Sequence, residues 1–441
     1  MSSGQVIIRS GRRTHRRGGP LADAIAVGAV TALAAVATVL TGVAGAGPAG
    51  ASTCAATGFH GGDVGSTGSS GSSDLGMGSL DFGSYRAGGK KPQGPLVKLT
   101  GPSRAIQWVT GPRSPNRTDQ RFSITSTDVG VMWDNGSGQI LMAFGDTWGR
   151  CAGQMVWRHN TMLRSTGPTN LDKGISFPGA IPGSIRSGAS VTPGHPTFAQ
   201  PMLNAVGVRN IEVGVIPTGG IAIGGVQYAS VMSIHKWSGP GRWDTNYSAI
   251  AVSRNNGQTW AIANSTVRAN VDLSLPGVPQ VRTGHGRFQM GAFLRSGGYV
   301  YQYGTPNGRH GAAYVARFRP ADILNLNRYE YFHGPDSWSP DPAVAVPVVR
   351  APVSEISVAY NSYLKRFVML TENAGNIMLR TAPTPVGPWS GQHVIVSRDQ
   401  AAGMYAPFIH PRSDGQMLYF VASRWDDYNV MLIRTDLAKV R

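Results

Sequence analysis

The chain has 441 residues, of which 59 are glycine and 29 proline, while only 14% are charged. Breakers at that density leave little room for long helices, so short strands joined by many turns are expected and a helical bundle is excluded. The formal charge of +17 is spread without a Lys/Arg-rich run beyond residue 50. No basic-aromatic module accompanies it, so nucleic acid is not an expected partner, whereas an anionic polymer or membrane surface fits.

Residues 1–20 are basic, and residues 24–46 are apolar and uncharged. This is the pattern of an export signal over 1–46, with small residues that suit cleavage near 44–46. An uncleaved anchor is the alternative, because the apolar run is about long enough to cross a bilayer. An exported protein of the periplasm, cell wall or exterior is therefore expected, associated with the envelope surface through its N-terminus if the leader is kept. From 47 to 95 the composition collapses to Gly and Ser, which cannot bury a core and reads as a flexible tether. The two cysteines, Cys54 and Cys151, make no zinc site. In an exported chain they form one disulfide or stay as two thiols; spacing does not decide between these.

Residues 96–441 are read as one domain. The stretch S-T-D-V-G-V-M-W-D-N-G-S-G-Q-I-L-M-A-F-G-D-T-W (126–148) alternates at Val129, Val131 and Trp133, turns at Asn135–Gly138, and returns from Ile140 to Phe144. That is a hairpin. Its open end brings Asp128 and Asp146 to one sheet edge. Taken alone, the two acids would be strand caps.

The pattern recurs. A second unit has strands over 211–216 and 221–228 around a turn at Pro217–Gly220. A third turns at Ser296–Gly298, a fourth at Asn361–Lys365 and a fifth at Arg412–Gly415. Each hairpin is followed by another strand pair, as in N-T-M-L-R-S and N-V-M-L-I-R-T. Four short strands repeated five times describe an all-β, five-bladed β-propeller. A two-sheet sandwich would not repeat one hairpin pattern five times. Ser253–Trp260 matches the Asp-box turn S-x-D-x-G-x-T-W with Asn255 at the Asp position, and is read as structural.

In such a ring one face collects the ends of the first strands. Asp128 and Asp146 come from the first unit, with Trp148 and Trp157 nearby. Glu212, Gln227 and Tyr228 come from the second, Gln289 and Arg309 from the third, Glu355 and Glu372 from the fourth, and Tyr405 and Arg424 from the fifth. Asn160 lies close to the first hairpin. Paired carboxyl groups at such a mouth suit glycosidic bond hydrolysis, one as acid and one as base or nucleophile. Asp128, Asp146 and Glu355 are the expected catalytic set. Trp148, Asn160, Gln289, Arg309, Tyr405 and Arg424 are the expected substrate contacts, and Glu372 is read as a rim residue. No metal and no cofactor is required. The chain has no G-x-S-x-G elbow, Walker loop, H-E-x-x-H or G-x-G-x-x-G after a strand, and His159, His310 and His410 are read as strand-end hydrogen-bonding groups.

The segments S-T-D-V-G, F-G-D-T-W-G and M-V-W-R-H-N-T-M-L-R-S resemble a group of exported actinobacterial proteins, formerly a domain of unknown function, associated with endo-D-arabinanases. The resemblance spans most of 96–441. It implies a five-bladed propeller glycoside hydrolase that cuts internal linkages in the D-arabinan of arabinogalactan and lipoarabinomannan, with its acidic pair at Asp128 and Asp146. A cell-wall polysaccharide is thus the expected partner, and the protein is expected to act as a monomer. The alternative is a non-catalytic propeller that binds wall glycan or a protein.

Overall fold

A computed structural model describes residues 92–166, 170–208 and 210–440. The export signal, nearly all of the tether and Cys54 lie outside the described residues. Cys151 is not a free thiol, and it packs with Val156 and Phe198.

Five small antiparallel sheets form the blades of a propeller, as the repeat predicts. Blade one comprises Ser126–Asp134, Ile140–Cys151, Gln154–Arg158 and Thr161–Ser165. Its long second strand pairs with both of the short ones that follow. Blade two comprises Gly214–Ile223, Val226–Gly239, Arg242–Ser253 and Ala261–Ala269. Blade three is built on Met290–Ser296, Tyr299–Thr305 and Gly311–Phe318, with short strands added outside. Blade four runs from Ser357–Asn361 through Arg366–Asn373 and Asn376–Ala382 to His393–Val396. Blade five joins Met404–Ile409, Met417–Arg424 and Asn429–Asp436 to Ser103–Trp108, a strand from the start of the domain. That last pairing closes the ring, so the first and last strands of the domain lie side by side.

The core sits between blades, since one sheet cannot cover both of its own faces. Val131, Trp133 and Leu141 of blade one meet Val215, Ala229 and Val231 of blade two. Ile221 and Ile250 meet Val300 and Phe318 across the next gap, and Ala292 and Tyr303 meet Val358 and Met369 across the third. Val368 and Leu379 pack on Phe420 and Ile433. Val421, Val430 and Leu432 return to Met132, Met142 and Phe144, completing the circle.

One expected turn is corrected. Pro217–Gly220 is not the turn of blade two but lies within its first strand, where the pairing register slips between Pro217 and Gly219. The reversal falls at Gly224–Gly225, both at positive φ. Proline and glycine mark bulges inside strands as readily as turns between them. Bare backbone is also needed there, because a Cβ at Gly220 would sit 2.1 Å from the Trp133 indole. The Asp-box turn forms as expected. Asn255 Oδ1 accepts from the Thr259 backbone N–H at 3.0 Å, Ser253 Oγ accepts from Gly257 N at 2.8 Å, and Trp260 packs edge-on to Trp133.

Gly149 is a point of close approach. A Cβ there would fall 1.5 Å from the Ser123 carbonyl oxygen, which is backbone and cannot swing aside. Gly149→Ala is expected to destabilise the fold by about 3 kcal/mol through overpacking, read as a lowered denaturant midpoint at unchanged m-value.

Candidate active site

The two aspartates are set together by irregular pairing. Thr127 pairs with Thr147 and Val129 with Phe144, so Gly145 and Asp146 on one strand oppose Asp128 alone on the other. Such a bulge bends the strand and re-aims side chains. A compensating slip follows at once, with Val129 and Gly130 at φ 68° and 81°. Positive φ in a β-branched residue is strained and is retained only where surrounding packing imposes it. Here it directly follows Asp128.

Asp128 is half-buried, walled by protein on most sides. Tyr405 from blade five donates its hydroxyl to Oδ2 at 3.0 Å. Oδ1 is buried against Gly145 and receives no hydrogen bond from the protein. Burial raises the Asp128 pKa to about 6, although the Tyr405 and Tyr428 hydroxyls and the Arg309 charge oppose the shift. Asp146, also half-buried, is pushed well above the ordinary carboxylate range, first by burial and then by the negative charge of Asp128. Trp157 donates its indole N–H to Asp146 Oδ1 at 2.9 Å. That oxygen is thereby held in place by the indole. The two carboxyls thus titrate as a coupled pair, both raised above the usual carboxylate range.

Glu355, at the start of blade four, is gripped by Arg309 from the blade-three loop through Nη2–Oε1 at 2.7 Å and two Nε contacts of 3.0 Å. The guanidinium also lies 4.8 Å over the Tyr405 ring and 5.6 Å over Trp243. Glu355 therefore anchors Arg309, and Arg309 supplies the positive charge that Asp128 faces. Glu372 stands on the same side. Burial raises its pKa, opposed by the Gly375 N–H and by Arg309.

The other expected substrate contacts are distributed differently. Trp148 is buried, stacked 6.2 Å from Trp157 and edge-on to Tyr428 at 5.3 Å, so it braces the residues that touch the acids. Asn160 is buried with its amide engaged: Nδ2 donates to the Val215 and Leu203 carbonyls at 2.7 and 3.2 Å, and Oδ1 accepts from Leu203 N. Gln289 is fully buried, accepting from Thr245 and donating to the Arg268 and His285 carbonyls. Arg424 pairs with Asp427 at 2.7 Å, three residues on. These last three hold loops and strand ends in place rather than facing Asp128. Tyr428, Trp243 and the exposed Trp425 are additions that sequence reasoning missed. Their only sequence signal was aromatic residues beside strand ends of blades two and five.

Gly145 leaves room for the acid pair. A Cβ there would meet Asp128 Oδ1 at 2.5 Å and Val129 Cγ2 at 3.2 Å. Gly145→Ala is expected to displace the carboxyl group, and with it to lower about 100-fold any chemistry that depends on that group, the scale of an ångström-sized misplacement. Thermal melting should change little, because the displaced group is a movable side chain.

In curated proteins the chain is 27% identical over 323 residues to Notoamide biosynthesis cluster protein J of Aspergillus sp. (strain MF297-2), covering 69% of this chain and 81% of that protein. It is 26% identical over 356 residues to Notoamide biosynthesis cluster protein J' of Aspergillus versicolor, covering 75% and 90%. Among solved structures, a putative hydrolase from Bacteroides ovatus matches with TM-score 0.46 at 13% identity, over 72% of this chain and 88% of that one. A native arabinanase of Bacillus subtilis matches with TM-score 0.38 at 10% identity, over 70% and 93%. The family model of DUF4185, a domain of unknown function, matches residues 113–434, and the chain belongs to that family.

Proposed function

We propose that the protein is a glycoside hydrolase that cuts within a carbohydrate chain, using Asp146 as the proton donor and Asp128 as its ionised partner. The observation that carries this reading is the bulged pair itself. Two carboxyl groups on adjoining strands sit in unlike surroundings, both raised by burial and Asp146 further by the charge of Asp128, which suits one as proton donor and the other as ionised partner. Asp146 protonates the leaving oxygen. Asp128 meets the anomeric carbon directly or through a water, its charge supported by Tyr405 and Arg309.

The substrate proposed is D-arabinan of the cell envelope. Its support is the resemblance of the T-D and G-D-T-W segments to endo-D-arabinanases, and a leader-like N-terminus that suits an exported protein. Purified protein incubated with arabinogalactan should release a ladder of D-arabinose oligosaccharides, followed by size separation. Binding to the polysaccharide with no product over a long incubation would instead favour a non-catalytic glycan-binding propeller.

A further inference from the structure

Blade two's central hairpin is the longest in the ring, with strands of 14 and 12 residues. Its tip reaches blade three: Arg309 N donates to the Gly241 carbonyl at 2.9 Å, and Asn307 Nδ2 donates to the Trp243 carbonyl at 2.6 Å. Trp237 and Trp243 are cross-strand partners near that tip, with rings 5.7 Å apart. Trp243 is buried under Arg309, whereas Trp237 is half-buried. Arg309 also lies over Tyr405, and against Tyr405 at 6.0 Å lies Trp425, which is 39% exposed. A row of flat groups thus runs from blade two to blade five. Its middle lies beside Asp128; of its two tryptophan ends, Trp425 is exposed and Trp237 half-buried.

We infer that Trp425 and Trp237 are sugar-stacking platforms on opposite sides of the carboxylate pair, binding units of one carbohydrate chain on either side of the bond to be cut. The inference rests on the glycosidase reading and adds how a polymer is held. An indole presents a broad apolar face to sugar C–H groups at little conformational entropy cost. Both platforms are pre-positioned. The Trp425 loop is pinned by its own N–H on the Gly403 carbonyl at 2.9 Å, by Tyr428 N on the Arg424 carbonyl at 2.8 Å, and by the Arg424–Asp427 ion pair. Trp237 is fixed by its partner Trp243 and by the clasp on blade three. Exposure of a large aromatic at a rigid loop beside buried acids is what a stacking site requires, and core packing would have hidden it.

The test uses equilibrium binding of a short and a long D-arabinan oligosaccharide to the full chain carrying Asp146→Asn, with and without Trp425→Ala or Trp237→Ala. Each tryptophan substitution should weaken the long ligand about tenfold and the short one much less, in variants that still melt cooperatively. Trp425→Phe should recover most of the loss. Equal affinity for the long ligand in all variants, or equal weakening of both ligands, overturns the inference while leaving the glycosidase reading intact. If the Asp146→Asn parent binds neither oligosaccharide, the D-arabinan reading and this inference fall together.

Discussion

On the proposed glycosidase reading, Asp146→Asn and Asp128→Asn should each reduce hydrolysis by about 10³-fold, the scale of losing a general acid or base, and yet should not weaken the fold. Above pH 6 the Asp128→Asn variant is expected to be more stable than the parent. The folded-state pKa of Asp128 is raised from 3.8 to about 6, so between those values the folded protein holds a proton that the unfolded chain gives up. Stability falls as pH rises through that window, and the full penalty persists above it. Asparagine removes the charge and with it the penalty, so Asp128→Asn should gain about 1–2 kcal/mol at neutral pH and nothing below pH 4. Denaturation midpoints at two pH values, measured beside activity, check both halves. A variant that loses activity and stability together would mean that the aspartates are structural.

Arg309→Leu should be the most damaging change outside the acid pair. It strips Glu355 of a bidentate partner in a site where both side chains are about one-fifth exposed, leaving a poorly solvated carboxylate at an expected cost of about 2–3 kcal/mol. It also removes a charge that lowers the Asp128 pKa. The acidic limb of the activity profile should therefore move to higher pH, and turnover at neutral pH should fall roughly 100-fold. Arg309→Lys should rescue little, since an ammonium cannot fork onto a carboxylate or lie flat on Tyr405 and Trp243. The double variant Arg309→Leu, Glu355→Leu should recover stability but not activity. Recovery of both would assign the ion pair a purely structural role.

The Asp128–Asp146 relationship shows how far local sequence reaches. Alternation at Val129, Val131 and Trp133, with a glycine turn and a returning strand, determines that the two acids share an edge, because pleat and turn geometry act over a few residues. The hairpin repeat likewise carries the five blades, since the alternation of each hairpin is local, although blade five borrows its fourth strand from Ser103–Trp108. The same local logic misread Pro217–Gly220, where a proline and two glycines mark a bulge that accommodates Trp133 of the neighbouring blade. Nothing within blade two announces that neighbour.

What only the tertiary structure decided is which polar groups face the acids and which are consumed in holding the ring together. Asn160 and Gln289 resemble sugar-binding groups in sequence. Burial obliges each amide to find partners, and backbone carbonyls of adjacent segments take them. Tyr405 reaches Asp128 across 277 positions of chain, and Arg309 meets Glu355 across 46. The raised pKa values of Asp128 and Asp146 depend on these long-range contacts and on desolvation, which no short window of sequence contains. The sequence by itself determined the blades and put the two aspartates on one hairpin. Closure of the ring decided their surroundings, because a pKa is set by what lies within a few ångströms in space rather than by what lies nearby in the chain.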